Sequence, residues 1–194
     1  FKHLKPNDRQ VMGDVQHHKP VLLFFAIFSG DAAVLQWARD KIESRYGVIA
    51  LASDLFEFTQ TDYYEASMGP LLKKQLIAVE KLVDPAELAE IKHQTNTWER
   101  EYADIDKVAS VDRPLNIDPG YLTLAKLVLA TTKDRDHRIY IGKGMFAEVT
   151  LHFQSKQWSQ RPWTYPDYMT EGYHAFLNRC RMYLRERYGV LNVE

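Results

Sequence analysis

The chain has 194 residues, 45% of them hydrophobic and 26% charged, with a formal net charge of −1 at pH 7. That size and balance suit one globular domain with a sizeable core, and near-neutrality excludes a protein that grips nucleic-acid backbone over its whole surface. The single cysteine, Cys180, excludes an intrachain disulfide and fits a reducing, cytoplasmic setting, and no apolar run has the length of a membrane span.

The sequence begins at Phe1 rather than at methionine, so the native N-terminus is expected upstream. Residues 1–19 are polar and aperiodic and predict a flexible arm, whereas residues 20–194 predict a single α+β domain. The arm's histidines, His3, His17 and His18, read as incidental to a polar tail. Asp118, His137, Glu148 and His152 have the residue types of a metal site without tight ligand spacing such as His-Glu-x-x-His, and no metal is expected. Pro20–Phe28 (PVLLFFAIF) is a continuous apolar run, the pattern of a central strand buried on both faces. Ser29-Gly30-Asp31 then opens a helix with Val34, Leu35, Ala38 and Ile42 at helical spacing, and Gly47 closes it. Val48–Thr59 predicts a second extended segment and Lys74–Val83 a third. Asp84-Pro85-Ala86-Glu87 combines a capping carboxylate, a proline suited to the first turn and a capping-box glutamate. The helix it starts carries Leu88, Ile91, Thr95, Trp98 and Tyr102 on one stripe. Lys92 and His93 fall off that stripe and are expected in solvent.

Pro114–Phe153 reads as antiparallel strands. Lys126–Lys133 is apolar and β-branched, Asp134-Arg135-Asp136 turns the chain, and Gly142-Lys143-Gly144 joins His137–Ile141 to Met145–Phe153 as a hairpin. Period-two alternation puts Ala147, Val149, Leu151 and Phe153 on one face with Ile139 and Ile141. Phe146, Glu148, Thr150 and His152 fall on the other with Arg138 and Tyr140, in line with Asn116 and Asp118 upstream. Asp118-Pro119-Gly120 and Tyr165-Pro166-Asp167 read as turns, and residues 155–164 as a loop. A last helix buries Tyr173, Phe176, Leu177, Cys180, Tyr183, Leu184 and Tyr188, with Cys180 a core residue rather than a nucleophile. The element order is that of a ferredoxin-like βαββαβ core, extended by antiparallel hairpin strands and a C-terminal helix.

The polar sheet face is either a solvated surface or the floor of a pocket. As a pocket, it offers Asp118, His137 and Glu148 as acid–base candidates. Arg138 and Lys133, with Lys126 and Arg135 nearby, are candidates to hold phosphate. Tyr63, Tyr64 and Tyr121 can stack on a ring, and Tyr140 and Thr150 add further ligand contacts. The expectation is a cytoplasmic protein that binds or processes a phosphorylated small molecule or nucleotide, its cofactor, if any, left open. The alternative is a non-enzymatic module for a protein partner or RNA, displaying Tyr140 and Phe146. RNA is disfavoured because the aromatic-glycine signature of sheet-based RNA binders is missing. The paired His-x-Thr elements of two-histidine phosphoesterases are also missing, since Phe58-Thr59-Gln60-Thr61 stands where one would be expected.

Four separated motifs carry a family resemblance. They are Phe58-Thr59-Gln60-Thr61-Asp62-Tyr63-Tyr64-Glu65 with Met68-Gly69, Asn116-Ile117-Asp118-Pro119-Gly120-Tyr121, the run from Leu129 through His137-Arg138-Ile139-Tyr140 to Leu151, and Trp163-Thr164-Tyr165-Pro166-Asp167-Tyr168. With these the chain resembles, from Pro20 onward, a bacterial family known as a domain of unknown function (number 4416). Ala66-Ser67 departs from the family pattern, which has a second acidic residue before Met68-Gly69. The resemblance implies bacterial origin and brings no activity, cofactor or catalytic residue with it.

Overall fold

The structure, a computed structural model, describes residues 17–59, 64–105 and 111–191. The arm expected at residues 1–19 lies almost wholly outside them. The apolar run forms β1 (Val21–Ser29), every residue of which is buried. Asp31 caps α1 (Ala32–Tyr46) by accepting the Ala33 N–H at 2.7 Å. The second extended segment breaks into β2 (Ile49–Ala52) and β3 (Phe56–Glu57), and a short helix, α2 (Glu65–Met68), leads to β4 (Lys73–Val83). The expected capping box of Asp84 and Glu87 is present on a 3₁₀ turn that runs into α3 (Leu88–Ile105). Then come β5 (Asn116–Leu122), β6 (Lys126–Thr131), β7 (Ile139–Gly142), β8 (Met145–Gln154), β9 (Gln157–Gln160) and α4 (Glu171–Leu191).

Helix and antiparallel sheet are combined as expected, with a C-terminal helix. The strands join in the order β2-β4-β1-β5-β6-β8-β7, with β3 also on β4 and β9 also on β8. Helices α1 and α3 cover one face through Val34, Ile42, Ile91 and Trp98 against Leu23, Phe25 and Ile117. Helix α4 covers the other through Phe176, Leu177, Cys180 and Leu184 against Leu22, Phe24, Leu122 and Leu151. Cys180 is a core residue whose thiol pKa is pushed up to about 12, chiefly by burial. Among the described residues no helix is long and apolar enough to cross a membrane.

Three details depart from the sequence expectation and shape the rest of the molecule. Asp118-Pro119-Gly120 is not a turn; it lies inside β5, with Pro119 opposite Phe25 of β1. Residues 155–164 are not all loop, because Ser155 and Lys156, both at positive φ (51° and 66°), make a tight turn into β9. A two-residue turn of that kind is usually signalled by glycine or asparagine, which are absent here. Finally, β8 pairs with β6 as Leu127↔Leu151 and then Val128↔Val149, so the register shifts near Thr150. A bulged strand inverts its side-chain parity. Ala147 and Val149 therefore pack with Leu88 of α3, while Leu151 and Phe153 pack on the α4 side. Glu148, paired with Leu129, shares the α4 side with Leu151 rather than opposing it.

Candidate functional site

Pro119 explains where the cleft lies. Successive residues of a strand turn their peptide groups to alternate sides, so Ile117 and Pro119 face away from β1 and toward β6. Proline has no N–H to donate there, and β6 pairs with β5 only over Gly120–Leu122. Below that point the two strands diverge. The open backbone of Ile117 is satisfied by α3 instead: its N–H donates to Glu99 Oε1 at 2.8 Å, and its carbonyl accepts from Lys92 Nζ at 3.0 Å. Lys92 is thus buried, not in solvent as its position off the stripe suggested, while His93 does stay exposed.

Two cavities of about 150 and 340 Å³ adjoin at this fork. They share Tyr64, Asp118, Leu129, Lys133, Arg138 and Tyr165. The smaller is polar and extends to Lys92, Asn96, Arg113, Asn116 and Glu148. The larger is walled by Phe28, Phe58 and Tyr168 and reaches Lys74, Arg135 and Asp167. Among the described residues, six cationic side chains and three carboxylates line the two together.

Each carboxylate meets a cation. Lys74 Nζ donates to Asp167 Oδ2 at 2.6 Å, with both side chains only 5% exposed. The Lys74 ammonium also lies 4.7–5.8 Å from the ring centres of Phe28, Phe58, Tyr168 and Tyr173, a cation–π cage. Lys92 Nζ lies 3.2 Å from Asp118 Oδ1. Arg138 donates through Nε to Glu148 Oε2 at 2.7 Å and through Nη1 to the Lys133 carbonyl at 2.9 Å. A chain of side-chain bonds continues from Asp118 through Asn116 and Arg113 to Glu99. Burial by itself acts to raise the Asp118 pKa, but the charges of Lys92 and Lys74 and hydrogen bonds from Asn116 and Lys92 outweigh it, so the carboxyl titrates below its ordinary value.

Of the residues singled out from sequence, Asp118, Glu148, Arg138, Lys133, Arg135 and Tyr64 line the cleft. His137 supports it from behind: its Nε2 lies 3.2 Å from Glu148 and its Nδ1 3.1 Å from Asp136, with the ring stacked on Trp163 at 4.8 Å. Tyr121, Tyr140, Thr150 and Lys126 do not line either cavity. Tyr121 packs on the face of the sheet that α1 and α3 cover. Tyr140 sits exposed on edge strand β7 beside Phe146, at 5.4 Å. Thr150 is buried at the bulge, its hydroxyl without a hydrogen-bond partner among the described residues. His152 lies beyond the bulge beside Gln154. Tyr63 falls outside the described residues. Among the described residues no group of three or more His, Cys, Asp or Glu is placed to hold a metal ion.

Sequence reasoning missed Lys74, Lys92, Arg113, Tyr165 and Asp167. For Lys74 a signal existed, since it shares strand parity with Leu76 and Ala78, which the sheet buries. For Lys92 there was none, because the carbonyl it serves belongs to a strand 25 residues away.

The model of a family described as a domain of unknown function (DUF4416) matches residues 19–183. The chain belongs to this family. No curated protein and no solved structure matches it. In this DUF4416 chain the four motifs that carried the resemblance meet at one place. Phe58 and Tyr64 come from the first, Asp118 from the second, Leu129 and Arg138 from the third, and Tyr165 and Asp167 from the fourth. The fourth motif also secures the β8 bulge, where Trp163 Nε1 and Thr164 Oγ1 donate to the carbonyls of Val149 and Thr150 at 3.0 and 2.6 Å.

Proposed function

We propose that this protein binds a phosphorylated small molecule with a planar ring, a nucleotide in the simplest case, in the cleft where β5 and β6 diverge. The observation that carries the reading is the pair of adjoining cavities with a common wall of Arg138, Lys133, Tyr64 and Tyr165, one polar and one aromatic, and an excess of cations over carboxylates. Arginine recognises phosphate oxygens through paired N–H donors and lysine through a compact charge. Phe28, Phe58 and Tyr168 offer apolar area for a ring, and a cavity of about 340 Å³ falls within the range that holds small organic ligands. Because Glu148 and the Lys133 carbonyl orient Arg138 before any ligand arrives, little side-chain freedom is lost on binding.

The same reading takes β1, α1, β2, β4, α3 and β5 as a ferredoxin-like core, supported by the strand order β2-β4-β1-β5. It takes residues 20–194 as one cytoplasmic domain, supported by the single, buried Cys180 and by the helices on both faces of a continuous sheet. Whether a reaction follows binding turns on Asp118, the acid–base candidate set on the wall between the cavities.

Calorimetric titration with inorganic phosphate and a panel of nucleoside mono-, di- and triphosphates tests the reading. Binding of at least one nucleotide is expected, weakened about tenfold or more in Arg138→Gln, the loss typical of a charged hydrogen bond. Lys133→Gln serves as a second variant should the loss of the Glu148 partner unfold the first. No binding by the wild type across the panel sinks the reading. The weight then passes to a module for a protein partner or RNA, which the exposure of Ile139 and Tyr140 on edge strand β7 favours.

A further inference from the structure

The three carboxylates of the cleft are not equivalent. Asp167 is closed off, with Oδ2 receiving Lys74 Nζ at 2.6 Å and the Tyr173 hydroxyl at 3.3 Å, and Oδ1 receiving the Tyr168 N–H at 3.1 Å. Glu148, 4% exposed, gives Oε2 to Arg138 and His137. Asp118 differs in exposure and in position. Its side chain is 31% exposed, and it lies on the wall common to the polar and aromatic cavities. Among the described residues it accepts one side-chain hydrogen bond on each oxygen, from Lys92 Nζ at 3.2 Å and from Asn116 Nδ2 at 2.8 Å. A carboxylate offers about four acceptor sites, so roughly two remain for a ligand.

An ionised carboxylate repels phosphate, yet this one stands among the cations that would attract it. Lys92 and Asn116 hold it in place, and the neighbouring lysines favour its charged form. Its open acceptor sites take hydrogens, and hydroxyl or amino groups of a ligand supply those. Two adjacent hydroxyls match the two oxygens best, as acidic side chains show when they bind ribose.

We infer that Asp118 accepts hydrogen bonds from the hydroxyl groups of the ligand, so that the class taken up is a phosphorylated polyol, such as a ribonucleotide or sugar phosphate. Bare phosphate and deoxy compounds are bound less well. The inference rests on the phosphate reading of the same cleft. It assigns selectivity to Asp118, affinity remaining with Arg138 and Lys133. A site built to satisfy a hydroxyl discriminates strongly against a ligand without it, because the acceptor is then left unpaired.

The test is a calorimetric comparison, in wild-type protein, of ribonucleoside 5′-monophosphates with their 2′-deoxy counterparts and of ribose 5-phosphate with 2-deoxyribose 5-phosphate. Inorganic phosphate serves as the common anion. The hydroxyl-bearing member of at least one pair is expected to bind about tenfold tighter or more. In Asp118→Asn that preference shrinks, since an amide keeps one acceptor oxygen, while affinity for inorganic phosphate holds or rises as a negative charge is removed. Equal affinity within every pair, with phosphate still bound, overturns the inference and leaves the phosphate reading standing. No binding of any probe, phosphate included, overturns both. The wild-type comparison decides the matter even where the variant does not fold.

Discussion

Lys74 illustrates how one residue is held by its surroundings. An ammonium in a protein interior is costly unless paired and hydrogen-bonded, and here Asp167 and four aromatic rings share the task. The same carboxylate acts back on its neighbours. Burial first, then the charge of Asp167, drives the phenols of Tyr168 and Tyr173 above the ordinary tyrosine range, so both remain protonated donors. Removing one partner strands the other. Lys74→Met or Asp167→Leu is expected to lower unfolding free energy by about 3–5 kcal/mol. The double variant Lys74→Met with Asp167→Leu should recover much of that, because no buried charge is left. Urea unfolding of the three variants and the wild type, treated as a double-mutant cycle, checks this. Additive losses would count against a coupled pair.

At the scale of an element, β5 is the strand on which the cleft depends. Its proline ends the ladder to β6, and its glycine makes the last paired position possible. A Cβ on Gly120 would stand 2.2 Å from the Val128 carbonyl oxygen and 2.6 Å from Leu129 Cδ2. Neither the backbone of β6 nor a leucine on the cleft wall can yield that distance without moving. Gly120→Ala is therefore expected to cost about 1–3 kcal/mol, the range for overpacking, and to weaken ligand binding, since Leu129 lines both cavities. Thermal unfolding together with calorimetry measures both effects. A neutral substitution would show that the two strands are not in tight register. Prolines and glycines of this kind signal a break in a ladder, yet the sequence alone offered Asp118-Pro119-Gly120 as a turn. The residues are the same in both cases. A neighbouring strand on one side, β1, makes the difference, since it keeps the segment extended through Phe24↔Gly120 and Ala26↔Asp118.

Across the whole molecule, the ionisation of Asp118 links elements far apart in the chain: Lys74 on β4, Lys92 on α3 and Asn116 on β5. A carboxyl that titrates lower in the folded than in the unfolded chain adds stability that is fully present above its unfolded pKa. That stability is lost as pH falls through the folded value. With the ordinary value at 3.8 and the folded one below it, acidification below 3.8 is expected to erode this contribution. Unfolding free energies followed along the acid limb should show a smaller pH dependence in Asp118→Asn than in the wild type. An unchanged slope would mean that Asp118 is not held ionised by its neighbours.

Local chemistry alone determined a good deal of this protein. The buried strand at Val21–Ser29, the capping box at Asp84–Glu87, the Gly142-Lys143-Gly144 hairpin and the apolar face of the last helix all follow from spacing and backbone preference within a few residues. The meeting of Arg138 with Glu148 was also legible, because both lie on one hairpin. What only the tertiary structure decided is the cleft itself. Parity counting fails at a single bulge, and nothing within β8 announces it, because the groups that secure it are Trp163 and Thr164 from a later segment. Lys92 reads as solvent-facing in sequence, and nothing near Lys74 in the chain points to its partner. Their partners, Asp167 and the Ile117 carbonyl, lie 93 and 25 residues away, and only the folded chain brings those groups close enough to offset the cost of burying an ammonium.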